Sequence, residues 1–103
     1  MNNKLRDEQT DRLYAGILAL QSVEECYAFF SDLCTISEVK SMAQRFHVAA
    51  LLKSGAKYMD VCEATGASTA TISRVNRCLA YGSDGYRLVL DRMGEADEIR
   101  MQD

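Results

Sequence analysis

Apolar residues recur along this chain at the three- to four-residue spacing of amphipathic helices. The first such stretch covers residues 11–20, where one helix face would carry Leu13, Ile17, Leu18 and Leu20. The last stretch follows Ser83-Asp84-Gly85. Its apolar residues would pack in the core or in a dimer interface, and they are Leu88, Val89, Leu90 and Met93. The spacing therefore predicts helices near both ends of the chain.

Two capping boxes predict the starts of a second and a third helix. In each, a hydroxyl residue is followed three positions later by a glutamate, as in Ser22 with Glu25 and Thr35 with Glu38. We expect the Glu25 carboxylate to accept from the Ser22 N–H. The second helix would bury Cys26, Phe29, Phe30 and Leu33. The third would end at Gly55 and bury Val39, Met42, Ala43, Phe46, Ala49, Ala50 and Leu52.

Residues 58–77 fit a pair of helices joined by a tight turn. Gly66 stands where the turn needs a left-handed backbone, and Ser68 is a natural N-cap for the following helix. The inner face of the first helix would hold Val61 and Cys62, with Cys62 and Ala64 small enough for close packing. The second would be anchored by Ile72, Val75 and Leu79. This pattern predicts a helix-turn-helix.

The outer face of the second helix of this pair is suited to DNA. Its hydroxyl and methyl groups can meet base edges in the major groove, and its arginines can meet phosphates or guanines. We therefore predict a reading helix at about residues 68–80, with DNA contacts from Lys53, Lys57, Ser68, Thr69, Ala70, Thr71, Ser73, Arg74 and Arg77. A helix-turn-helix used only for packing is the alternative.

Charge is unevenly distributed over the 103 residues. Residues 1–38 carry three basic and seven acidic side chains, residues 39–81 six and two, and residues 82–103 three and six. The net charges are thus −4, +4 and −3. The acidic total argues against non-specific nucleic-acid binding, whereas the basic middle leaves one face able to meet phosphates. An ordinary scatter of solvated charges would give a similar distribution.

Catalytic, metal and membrane functions find little support in the sequence. The four cysteines form no C-x-x-C pair, and His47 is the single histidine, so we predict no metal site and buried, reduced thiols. No nucleophile, base or phosphate-binding glycine loop is arranged for catalysis, and we expect no enzyme. No segment reaches the roughly 18 apolar residues of a membrane span. We expect a cytoplasmic protein without a membrane partner.

The segments Thr35-x-x-Glu38, residues 45–53 and the run from Gly66 to Arg74 resemble the tryptophan-repressor family, in particular its YerC/YecD-type branch. The resemblance implies an all-α, six-helix subunit with a helix-turn-helix, in an intertwined homodimer whose N-terminal helices wrap the partner chain. It also implies transcriptional regulation, most simply repression, by binding to double-stranded operator DNA.

The resemblance further implies a corepressor site at Arg45, Thr71 and Arg74. In the family, two arginines at the positions of Arg45 and Arg74 enclose the indole of tryptophan. This chain has Val75 where the family has a glycine and Cys78 where it has a serine, so the indole would be crowded and the ammonium group would lose an acceptor. We therefore expect neither a cofactor nor tryptophan, and another small effector stays open.

The domain prediction is a single helix-turn-helix domain over residues 1–93, followed by a polar tail over residues 94–103. A protein-interaction module remains the alternative function. In that case the helix-turn-helix would dock on the transcription machinery, and binding would be insensitive to Arg74 and Arg77.

Overall fold

The computed structural model describes the backbone of residues 6–102 and the side chains of residues 6–94. Over that range the chain forms six helices and no strand, which confirms the all-α prediction. The helices are α1 (Glu8–Leu18), α2 (Val23–Leu33), α3 (Ile36–Lys53), α4 (Tyr58–Thr65), α5 (Thr69–Tyr81) and α6 (Gly85–Gln102). None of these described helices is long and apolar enough to span a lipid bilayer.

The outer boundaries of the helical region differ from the prediction. Helix α1 begins three residues early because the Asp7 carboxylate caps it, accepting from the Thr10 N–H at 2.7 Å. Leu20 lies beyond its end at Leu18. Helix α6 continues to Gln102 through residues predicted to form a polar tail. Side chains after Gly94 lie outside the described residues, so the tail boundary stays a prediction.

The capping boxes hold the starts of α2 and α3. Thr35 Oγ1 accepts from the Glu38 N–H at 3.1 Å, and the Glu38 carboxylate accepts from the Thr35 N–H at 2.8 Å, as predicted. The hydrogen bond from the Thr35 N–H holds the pKa of the Glu38 carboxyl below its ordinary value. Ser22 likewise caps the Glu25 N–H at 3.1 Å. The Glu25 carboxylate, however, accepts from the Gln21 N–H at 2.9 Å, one residue before the expected donor.

The chain divides into an N-terminal unit, residues 1–40, and a C-terminal unit, residues 41–103. In the N-terminal unit, neither α1 nor α2 contains a buried residue. Leu33, predicted to be buried, is half exposed, and Leu18, Tyr27 and Ile36 are 85%, 72% and 81% exposed. Among the described residues of this unit, large apolar side chains are therefore exposed and none is fully buried.

The C-terminal unit has its own core, formed by α3, α4, α5 and the turn between the last two. Its buried members are Val48, Ala49, Val61, Ala67, Ile72, Val75 and Leu79, with Leu51, Leu52, Ala56, Cys62, Tyr86 and Leu90 packed around them. The three predicted anchors of α5 are all among them. The predicted stripe on α3 was wrong in part, because fully buried Val48 lay outside it whereas Met42 and Ala43 are exposed.

Candidate nucleic-acid interface

The turn between α4 and α5 has the predicted left-handed residue. Gly66 adopts a φ of 71°, a conformation that costs a residue with a Cβ about 1 kcal/mol or more. Thr65 closes the turn with its hydroxyl, which donates to the Val61 carbonyl at 2.7 Å and accepts from the Ala67 N–H at 3.1 Å. The side-chain amide of Gln44, on α3, donates to the Thr65 carbonyl at 3.1 Å. These bonds fix the angle at which α5 leaves α4.

Ser68 caps the start of α5, as predicted. Its Oγ accepts from the Thr71 N–H at 3.1 Å and donates to Thr71 Oγ1 at the same distance. Thr71 is half-buried, and its hydroxyl takes part in the hydrogen bonds of the first turn. Ala64, expected to make room for α5, is exposed and does not belong to the core.

The two faces of α5 differ sharply. Ile72, Val75 and Leu79 are at most 8% exposed, and the first turn contains no acidic residue. The positions of α5 up to Arg77 that are open to solvent are Thr69, Ala70, Ser73, Arg74, Asn76 and Arg77. Neither arginine forms a hydrogen bond or ion pair with the residues described, so both guanidinium groups are available to a ligand.

The two lysines predicted to help bind DNA lie in different settings. Lys57 is exposed at the N-cap of α4. Lys53, the last residue of α3, pairs with Asp91 of α6 at 2.7 Å. Asp60 and Glu63 are exposed on α4, the helix before α5 in sequence. Helix α5 itself carries Arg74 and Arg77 and no acidic residue, in contrast to α4.

The predicted corepressor residues are placed on α3 and α5. Arg45 and Thr71 are half-buried and Arg74 is exposed. Val75 is 1% exposed and belongs to the core cluster, so its isopropyl group is part of the packing.

The cysteines are free thiols, but the prediction that they are buried was wrong, since Cys78 is exposed and the other three are half-buried.

A half-open pocket of about 220 Å³ lies beside the C-terminal half of α5, lined by Leu52, Lys53, Asn76, Leu79, Ala80 and Arg87. Arg87 donates from Nε and Nη2 to the Leu79 carbonyl at 3.0 and 2.9 Å. Neither Arg87 nor Asp91 was singled out from the sequence. A bond from a side chain to a backbone carbonyl leaves no trace in helical periodicity, so no sequence signal identifies it.

Comparison with known proteins assigns this arrangement to a family. The model of the Trp repressor protein family matches residues 8–94, which span α1 to α5 and the first half of α6. The chain belongs to the Trp repressor family. That family is one of regulators and not of enzymes. The match includes the turn, the anchored α5 and the exposed outer face described above.

Relatives agree with this membership of the Trp repressor family. The uncharacterized protein YerC of Bacillus subtilis (strain 168) is 54% identical over 95 residues, which cover 92% of this chain and 91% of YerC. A crystal structure of a TrpR like protein from Eubacterium eligens matches with a TM-score of 0.87 at 53% identity, covering 90% of this chain and 96% of the other. A candidate Trp repressor from Staphylococcus aureus also gives 0.87, at 49% identity and coverages of 91% and 95%.

Proposed function

We propose that this protein is a sequence-specific transcriptional repressor of the cytoplasm, and that it reads the DNA major groove with α5. One observation carries the proposal. Three apolar anchors hold α5 on the core, and the same helix leaves open to solvent a row of short side chains and two arginines that have no partner among the described residues. An α-helix fits the major groove, and short side chains let its backbone approach the bases closely.

The charge distribution on α5 supports groove binding over general attraction to DNA. Arg74 and Arg77 lie three residues apart, behind the hydroxyl-rich first turn. Phosphate contacts from such arginines fix the register of a helix, and contacts at its N-terminal end specify bases. We assign base reading to Thr69, Ala70, Thr71 and Ser73, with Ser68 at the cap, and phosphate contacts to Arg74, Arg77 and Lys57.

Lys53 has a smaller place in this proposal because its ammonium group is already paired with Asp91. A phosphate would have to compete with a carboxylate 2.7 Å away.

The corepressor residues Arg45, Thr71 and Arg74 also stay a prediction. The buried position of Val75 supports a repressor that needs no tryptophan.

We further propose that the protein acts as a homodimer through its N-terminal unit. Leu18, Tyr27 and Ile36 are each more than 70% exposed. Where such side chains lie together on a soluble protein, they mark an interaction surface. A second copy is the simplest partner, since a two-fold axis pairs one patch with itself. Two reading helices related by that axis would recognise two half-sites.

Selection of binding sites from random DNA duplexes tests this function. With purified protein at moderate salt and no added tryptophan, we expect a near-palindrome whose half-sites are about 10 bp, or a multiple, apart. The double variant Arg74→Ala, Arg77→Ala should lose binding, whereas Arg92→Ala, which removes one arginine from α6, should retain it. Absence of enrichment, with or without tryptophan and other amino acids, would contradict the proposal.

A protein-interaction module is the second candidate, and the exposed face of α4 favours it. Met59 is 78% exposed there, and Asp60 and Glu63 add negative charge that would repel DNA. If this face docks on the transcription machinery, binding to purified RNA polymerase should be lost in Met59→Asp and unaffected by the double arginine variant. Regulation through DNA reading predicts the reverse sensitivity.

A further inference from the structure

The C-terminal end of α5 lacks the charges that usually stabilise a helix end. The last four carbonyls of a helix have no donor within the helix, and the end carries a partial negative charge. Helix α5 has no basic residue in its last turn. The Gly82 N–H satisfies the Cys78 carbonyl at 2.9 Å, and the next carbonyl, that of Leu79, accepts from a side chain of α6.

That side chain is Arg87. Its Nε and Nη2 groups both donate to the Leu79 carbonyl oxygen, at 3.0 and 2.9 Å. It supplies from another helix the positive charge that the last turn of α5 lacks. Tyr86 and Leu90, on either side of Arg87 in sequence, pack against the core and hold α6 in place. The contact therefore joins the end of α5 to a fixed point.

A second polar contact lies one turn further along α6. Asp91 pairs with Lys53 at 2.7 Å and so joins α6 to the end of α3. Both side chains of this pair are at least one-third exposed, and exposed pairs of this kind contribute little stability. The Arg87 contact is partly buried and charge-assisted, so it is the stronger of the two.

We propose that Arg87 is a positioning residue for DNA reading, which sets the tilt of α5 by holding its C-terminal end. The inference rests on the proposed function. Thr69 and Leu79 are separated by about 15 Å along the helix, at 1.5 Å per residue. A tilt of about 5° at Leu79 would thus displace the reading end by about 1 Å. Hydrogen bonds to base edges tolerate only a few tenths of an ångström, at about 2.7–3.2 Å.

The position of Gly82 agrees with a tightly built helix end. A Cβ there would collide with the backbone carbonyl of Cys78. The backbone at the end of α5 therefore has room only for a glycine at residue 82. Arg87 reaches the Leu79 carbonyl from the helix that follows the loop. A change at Arg87 should affect contacts that depend on helix orientation more than contacts that depend on charge.

The test compares Arg87→Ala and Arg87→Lys with Arg92→Ala, which removes the same charge from an exposed position on α6. Affinities are measured for the selected duplex and for an unrelated duplex of equal length. Amide hydrogen exchange is measured on the free protein. Hydrogen bonds to charged groups justify an expected effect of about tenfold or more.

We expect Arg87→Ala to weaken binding to the selected duplex about tenfold and to the unrelated duplex less than about twofold. Exchange should accelerate about tenfold for amides at residues 80–82 and much less at Ile72 and Val75. Arg87→Lys, with one charge but no fork, should be intermediate, and it keeps the test available if Arg87→Ala does not fold. Arg92→Ala should match the wild type.

Equal weakening on both duplexes, or exchange that accelerates uniformly, would overturn the positioning role and leave Arg87 a packing residue. A wild-type protein without any preferred duplex would instead overturn the proposed function and the DNA part of this inference. The exchange measurements would still decide whether Arg87 holds the end of α5, so the two failures are distinguishable.

Discussion

The two units of this protein contain similar apolar residues but differ in how far these residues are buried. In the C-terminal unit, Val48, Val61 and Ile72 are fully buried, and α5 is fixed by residues from the same unit. In the N-terminal unit, α1 and α2 contain no fully buried residue. Helical periodicity identifies an apolar face in both cases, but it does not say whether the covering surface comes from the same chain. The difference fits the functions that we propose, with DNA reading in the C-terminal unit and association in the N-terminal unit.

The sharpest way to break this comparison is to place charges on the N-terminal unit. The double variant Leu18→Asp, Tyr27→Asp should dissociate the homodimer, because each large apolar side chain buried at an interface contributes about 1.5–3 kcal/mol. Sedimentation at micromolar concentration measures the change. Ser31→Asp, at an exposed polar position on α2, adds a charge as a control and should stay dimeric. A dimer that survives the double variant would place the interface elsewhere.

The matching test in the C-terminal unit is Ile72→Ala. This side chain is fully buried in the core, so its truncation should cost about 2–5 kcal/mol of the free energy of unfolding, through lost burial and a cavity. Urea denaturation at a fixed protein concentration measures the loss. Ser73→Ala, the exposed neighbour on α5, should change stability by less than about 0.5 kcal/mol. Equal effects at the two positions would show that the core has been assigned to the wrong face of α5.

Much of the C-terminal unit could be predicted from the sequence because its signals are local. Gly66 is required by a left-handed turn, Ser68 by a helix start, and the anchors of α5 by spacing alone. The bonds of Arg87 to the Leu79 carbonyl and of Gln44 to the Thr65 carbonyl could not be predicted, since they join residues distant in sequence to backbone atoms. The buried stripe on α3 was misjudged for a related reason. Periodicity marks a face along the whole helix, whereas the core of this unit meets only the part near Val48.

A substitution at Thr71 should have a smaller effect, on DNA affinity but not on dimer formation. Thr71→Ala should lower affinity for the preferred duplex by about 1–3 kcal/mol and leave non-specific binding nearly unchanged, because the side chain faces the groove in our proposal. Thr71→Ser retains the hydroxyl that accepts from Ser68 and should lose less. Fluorescence anisotropy on the two duplexes measures the difference, and sedimentation should show an unchanged dimer. Equal loss on both duplexes would count against base reading by this residue.

The smallest expected effect concerns how the two units cap their helices. In the N-terminal unit, carboxylates of Asp7 and Glu38 accept backbone N–H groups, and these hydrogen bonds hold both pKa values below the ordinary values of 3.8 and 4.5. In the C-terminal unit, α5 is capped by the uncharged hydroxyl of Ser68. Acid should therefore loosen helix starts in the N-terminal unit while that of α5 is unaffected.

The sign follows from linkage. A carboxyl group whose pKa is lowered by folding stabilises the folded state above its unfolded pKa, and this contribution disappears as the pH falls through the lowered value. The amide proton resonance of Thr35, which donates to Glu38, should thus titrate with a midpoint below 4.5, and that of Thr71 should stay constant. In Glu38→Gln, the side chain keeps an acceptor oxygen but cannot ionise, so the Thr35 titration should vanish. A midpoint at or above 4.5 would mean that the capping box does not persist in solution, and the contrast between charged and uncharged caps would then be lost.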